Sequence, residues 1–120
     1  MTAVLFVATI GCIVANAFIA VADYVNAPFV LKNCAEVHVP VGSLPYLATL
    51  KLAGAAALVV GLTMAPRLGA AAGIGLILFF TGALVAHIRA RVFCNIAFPG
   101  LYLLLAVASA AYMIHIAVGS

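Results

Sequence analysis

Residues Leu68 to Val85 read LGAAAGIGLILFFTGALV, eighteen positions without a charged side chain, and residues Ala86 to Asn95 read AHIRARVFCN, where one histidine and two arginines break the apolar run. Eighteen residues of helix span about 27 Å at 1.5 Å per residue. That is close to the roughly 30 Å hydrocarbon core of a bilayer, so the run reads as a membrane-spanning helix. The cationic cluster that closes it must lie where water, lipid headgroups or a buried partner can solvate it. The cluster therefore marks the edge of a site.

The rest of the chain has the same character. Of its 120 residues 69% are hydrophobic, with five Lys+Arg and two Asp+Glu. A soluble domain carries about a quarter charged residues and covers its surface with them, which this chain cannot do. The expected fold is all-α, a single four-helix transmembrane bundle over residues 1–120. Its spans fall at about 3–22, 46–65, 68–88 and 97–118, with a polar loop at 23–45. The net charge of +3 and the pI near 9.0 form no basic stripe for nucleic acid. They read as membrane anchors and orientation signals. Cys12, Cys34 and Cys94 show neither a CxxC nor a zinc spacing. No Ser/His/Asp set and no paired carboxylates occur, so no catalytic residue and no metal ligand are assigned. A non-catalytic subunit or binding protein is expected in preference to a free-standing enzyme.

In the first span, Ala20-Val21-Ala22 resembles a signal-peptidase site. The segment lacks a basic n-region and its apolar run exceeds the ~7–15 residues of a signal core, so a retained helix is expected. Cys12, Asn16, Ala20 and Asp23 share one of its faces, expected to point inward. In the loop, Pro28, Pro40 and Pro45 break any long helix. Phe29-Val30-Leu31 can dip into the interface, and Lys32, Glu36 and His38 make this the most polar part of the chain. A functional lid and a surface loop folded back on the bundle both fit its length.

The second span opens near Pro45-Tyr46 and carries Lys51 a turn or so inside. Two outcomes are open for Lys51. Its ammonium can snorkel to the headgroups, or it can turn inward on a face that also holds the small residues Gly54 and Ala55. Pro66-Arg67 leaves room only for a tight hairpin, which makes the second and third spans antiparallel neighbours. Gly69 and Gly73 stand at a GxxxG spacing that favours close helix contact in lipid. If the third helix continues for another turn past His87, Arg91 falls on the His87 face and Arg89 opposite. That would place Arg91 at an inward site and Arg89 on a lipid phosphate. In the fourth span Tyr102, Ala106, Ser109 and Met113 form a stripe able to line the bundle, while Tyr112 and His115 lie near the far interface.

Four spans bring Asp23, Lys51, His87, Arg91 and the start of the fourth helix to one membrane face. Lys32, Lys51, Arg89 and Arg91 on that side, against Arg67 and the amino terminus opposite, make it cytoplasmic by the positive-inside rule. A disulfide between Cys34 and Cys94, which share that side, would require an oxidising compartment, so the bond and the orientation exclude each other.

Three segments carry a resemblance: Lys51-Leu52-Ala53-Gly54, the Ala65-Pro66-Arg67-Leu68-Gly69 hairpin, and Gly82-Ala83-Leu84-Val85-Ala86-His87-Ile88-Arg89-Ala90-Arg91. Together they resemble the DoxX-like family of small four-helix bacterial membrane proteins. The similarity runs from about Leu47 to the C-terminus and is most specific at the end of the third span. The first span and its loop match only in length and hydrophobicity. Lys51, Gly54, His87 and Arg89 match the family pattern. The resemblance implies a multi-pass protein of the bacterial plasma membrane, connected to quinone or sulfur redox chemistry. No haem, flavin or iron–sulfur signature occurs, so electron transfer would use a cofactor held by another subunit.

Three function classes follow. The first is a subunit of a membrane redox system, in which Lys51, His87 and Arg91, with Asp23 orienting or neutralising them and Arg89 alongside, form a cationic pocket for a quinone head group or a small oxyanion such as thiosulfate. The second is a structural or assembly subunit whose small residues, Gly54, Gly69 and Gly73, dock helices. The third is a small-anion carrier, which at this length would be a homo-oligomer. Lipids, and either further copies or a partner membrane subunit, are the expected partners.

Overall fold

The computed structural model describes residues 2–36, 38, 40–91 and 96–119. Four long apolar helices dominate it: α1 (Thr2–Tyr24), α3 (Leu44–Thr63), α4 (Pro66–Arg89) and α5 (Ala97–Gly119). A short α2 (Pro28–Glu36) and a 3-10 turn (Val41–Ser43) lie between the first two, and no strand occurs among the described residues. Each long helix is long and apolar enough to cross a membrane, and the molecule measures 45 × 25 × 18 Å. At 1.5 Å per residue the spans reach roughly 30–36 Å, matching the hydrocarbon core with little to spare. The chain is a multi-pass, four-helix transmembrane bundle.

The helices run up, down, up, down around a ring in which α1 and α4 each pack against both α3 and α5. Prolines set the starts. Pro28 opens α2, and Pro66 occupies the first turn of α4, as Pro45 does in α3 and Pro99 in α5. In that turn the missing N–H would have had no intrahelical partner, so the ring only fixes φ. The proline-rich loop thus contains a nine-residue helix, begun by the residue expected to break one. It is reached through Asn26, whose φ is 53°. There the Ala27 N–H donates to the Ala22 carbonyl at 3.0 Å and the Asn26 N–H to that of Asp23 at 3.2 Å. This closes α1 with the left-handed cap that asparagine accepts more readily than most residues.

Each span buries one narrow stripe and gives the rest to lipid. Thr9, Cys12, Asn16, Ala20 and Asp23 of α1 meet Ala48, Lys51, Ala55 and Leu58 of α3, with Tyr102, Ala106, Ser109 and Met113 of α5. The interior hydroxyls and the Asn16 amide donate to carbonyls four residues back: Thr9 to Leu5 at 2.8 Å, Asn16 to Cys12 at 2.9 Å, Ser109 to Leu105 at 2.8 Å. In a medium without water this local bonding satisfies groups that would otherwise stand unpaired.

The glycines allow the helices to close. An added Cβ at Gly73 would come within 2.8 Å of the Ala110 Cα on α5, and one at Gly61 within 2.5 Å of the Gly69 Cα. Gly69 itself faces the Met113 sulfur, and Gly54 faces Leu76. Gly54, Gly69 and Gly73 therefore make close contacts within this chain.

Candidate functional site

At the loop end the four spans and α2 surround a cavity of about 560 Å³. The volume is within the usual ~300–1,000 Å³ of small-molecule sites. Its walls are largely aromatic and aliphatic: Phe79 and Phe80 of α4, Phe98 and Tyr102 of α5, Leu44 and Leu47 of α3, Phe29 and Val30 of α2. Polar groups enter at a few points, namely Asp23, Lys51 and His87, with Lys32, Glu36 and Ser43 from the loop segment.

Lys51 occupies the centre of this arrangement. It projects inward from α3, and its Nζ donates to Asp23 Oδ2 at 2.8 Å, with the two side chains 11% and 2% exposed. The ammonium also lies 5.5 Å from the centroid of the Phe79 ring, within reach of the ring quadrupole. Pairing is what permits either charge at this depth, since an isolated ion in so apolar a setting is strongly disfavoured. Of the two outcomes open for Lys51, the structure shows the inward one.

His87 is buried on the inner face of the last turn of α4, and its Nδ1 lies 2.9 Å from the Ala83 carbonyl. A carbonyl oxygen only accepts, so Nδ1 carries the hydrogen and the ring orientation is fixed. Tyr102 lines the cavity and donates its hydroxyl to the Ala15 carbonyl at 3.0 Å. Its ring stands 5.2 Å from that of Phe80, which meets Phe79 edge-on at 5.0 Å. These three rings form one continuous wall.

Of the residues singled out from sequence, Asp23, Lys51 and His87 line this one cavity. Arg89 and Arg91 are exposed and are not part of its lining. The further turn of helix on which an inward Arg91 depended does not form: α4 ends at Arg89, and Arg91 has a left-handed φ of 58°. Arg91 thus leaves the His87 face. Cys34 is a free, buried thiol on the cavity wall, while Cys94 lies outside the described residues. Burial in an apolar setting pushes the Cys34 thiol above its ordinary value of 9.0, and the nearby Asp23 carboxylate adds to the rise, partly offset by Lys51. The aromatic wall was not foreseen. In a sequence so rich in apolar residues, Phe79, Phe80 and Phe98 carry no signal that separates lining from lipid-facing positions. Tyr102 was placed on an inward stripe only. Among the described residues no group of His, Cys, Asp or Glu is arranged to hold a metal ion.

The charge balance narrows the chemistry. With Asp23 at 2.8 Å the Lys51 charge is largely compensated locally, so a small anion entering the cavity would compete with a carboxylate already in place. A neutral ring bearing hydrogen-bond acceptors faces no such competition and gains aromatic contact. Comparison with known proteins supports the membrane architecture. No curated protein and no solved structure matches the chain significantly. The sequence pattern of the DoxX-like family matches residues 7–109, which is most of the chain and includes part or all of each of the four spans. The chain belongs to the DoxX-like family.

Proposed function

We propose that the loop-end cavity binds the ring head of a quinone and that the protein acts as a small quinone-binding subunit of a membrane redox system. The observation that carries this reading is the aromatic-walled cavity of about 560 Å³ holding a buried Lys51–Asp23 pair and His87. The donor set fits such a head. The Lys51 ammonium has three hydrogens and gives one to Asp23, so it can offer another to a carbonyl oxygen in the cavity. The ring wall of Phe79, Phe80 and Tyr102 offers offset or edge contacts to a flat head. His87, anchored through Nδ1 on the Ala83 carbonyl, holds an imidazole at the lining, a side chain whose two ring nitrogens suit it to moving a proton. A bound quinone supplies two-electron, two-proton redox chemistry, with the electrons delivered by a partner subunit. The compensated charge of Lys51 favours this head over a small oxyanion. The internal use of Gly69 and Gly73 gives no support to the reading in which those glycines dock partner helices.

The test is binding in nanodiscs. A benzoquinone with a short alkyl chain should bind the wild type saturably. It should bind His87→Leu and the double variant Asp23→Asn/Lys51→Met at least about tenfold more weakly, as loss of a buried hydrogen bond to the ligand predicts. Unchanged affinity in both variants, or binding of thiosulfate in place of the quinone, would defeat the proposal.

A further inference from the structure

The spans alone do not enclose the cavity. Five of its lining residues, Phe29, Val30, Lys32, Cys34 and Glu36, come from the nine-residue helix α2, so one wall belongs to a short element outside the bundle. Among the described side chains of α2, Val30 and Cys34 are the buried ones, each 5% exposed. They stand four residues apart on one face of the helix. There they meet Ala22 of α1 and Leu44 of α3 in a small cluster separate from the main core. A nine-residue helix is marginal by itself, and one whose buried share is two medium-sized side chains gains little from packing. The α2 wall is therefore the part of the cavity that parts most readily from the rest.

The joint between α1 and α2 permits that movement. The Ala27 N–H donates to the Ala22 carbonyl and completes the cap of α1, while the Ala27 carbonyl accepts from the Val30 and Leu31 N–H groups and begins α2. Only the two backbone dihedrals of Ala27 lie between the last bond of one helix and the first bonds of the next. Rotation there swings α2 as a unit and breaks no backbone hydrogen bond at either cap. Pro28 holds the residue before it in the extended region, with φ free over roughly 80°, so the swing follows one arc. Beyond the other end of α2, His38 has a left-handed φ of 61° and makes a second corner.

We infer that α2 is a lid on the loop-end cavity, pivoting at Ala27 and latched by Val30 and Cys34 against Ala22 and Leu44. Ligand enters and leaves when the latch parts, and the same movement uncovers the Cys34 thiol. The movement is read from α2 itself, whereas the identity of what the lid admits rests on the proposed function.

With Cys12 and Cys94 replaced by alanine, Cys34 is the single thiol, and its rate of modification by N-ethylmaleimide in nanodiscs at a fixed pH reports opening. Val30→Ala should raise that rate about tenfold, as the loss of two buried methyl groups from the latch predicts. Ala27→Gly frees the pivot without touching the latch and should raise the rate as well, which provides a second variant should the first fold poorly. Leu58→Ala weakens the main core instead, and should lower the thermal melt while leaving the rate within about twofold of the parent. A rate unmoved by both Val30→Ala and Ala27→Gly, or raised as much by Leu58→Ala as by Val30→Ala, overturns the lid. The occupant is tested separately with tetramethyl-benzoquinone, whose fully substituted ring does not add a thiol. At saturation it should slow modification of the parent at least about fivefold, as a ligand that favours the closed form does by mass action. Acceleration by Val30→Ala without protection by this quinone supports the lid and overturns the quinone reading.

Discussion

Lys51 shows what a sequence can and cannot fix at the scale of one residue. A cation a turn or two inside a span satisfies itself equally well by snorkelling or by turning inward. The partner that decides between them, Asp23, is 28 positions away. The α1 face of Cys12, Asn16, Ala20 and Asp23 was legible from its period, and all four are buried, but its pairing with Lys51 depends on which helices are neighbours. The energetic consequence can be measured. Asp23→Asn or Lys51→Met alone leaves a buried charge without its partner and should destabilise the bundle by roughly 3–5 kcal/mol. The double variant removes both charges and should melt well above either single one in detergent. A double-variant loss equal to the sum of the two singles would show that the charges are not coupled. Cys34 makes a second residue-scale prediction. Its raised value keeps the thiol protonated at neutral pH, and the thiolate is the reactive form. Iodoacetamide at pH 8 should therefore modify it several-fold more slowly than a free cysteine, measured as the difference between wild type and Cys34→Ser. The sign for stability follows: the contribution of the neutral thiol is full below the ordinary 9.0 and is lost as pH rises toward the higher folded value.

At the scale of elements, the four spans were legible because hydropathy over about twenty residues leaves few alternatives. Pro45 was legible as a helix start, but Pro28 only as a break, so α2 went unread. Asn26 supplies the left-handed turn that closes α1, and Pro28 begins α2. Arg91 was misplaced for a related reason. The turn that ends α4 involves a non-glycine residue at positive φ, for which the sequence gives no warning. The glycines separate into two classes that composition does not distinguish, and substitution should. Gly73→Ala brings a methyl carbon against the α5 backbone at Ala110, an overpacking that costs about 1–3 kcal/mol. Gly75→Ala meets nothing within 4 Å, so the helix-propensity gain of up to about 1 kcal/mol is unopposed. Thermal unfolding of the two variants side by side should give shifts of opposite sign. A stabilised Gly73→Ala would mean that α4 and α5 stand further apart than described.

At the scale of the whole molecule, the convergence of Asp23, Lys51 and His87 is a matter of topology: up-down-up-down order places the end of α1, the start of α3 and the end of α4 at one membrane face. Which face this is depends on charges that water can reach. Lys51 is paired and buried, so it leaves the count. Exposed Lys32, Arg89 and Arg91 then stand at the loop end against exposed Arg67 at the other. The excess is smaller than the bare sequence implies but keeps its sign, so the prediction from the positive-inside rule is a loop end facing the cytoplasm. In a chain whose three native cysteines are replaced by alanine, Lys32→Cys should react with a membrane-impermeant maleimide only in inverted vesicles, and Arg67→Cys only in right-side-out ones. The reverse pattern would refute the orientation. On the proposed function, the outcome also assigns the direction of proton exchange, because a quinone head beside Lys51 and His87 would take up or release protons through the face at which that cavity lies.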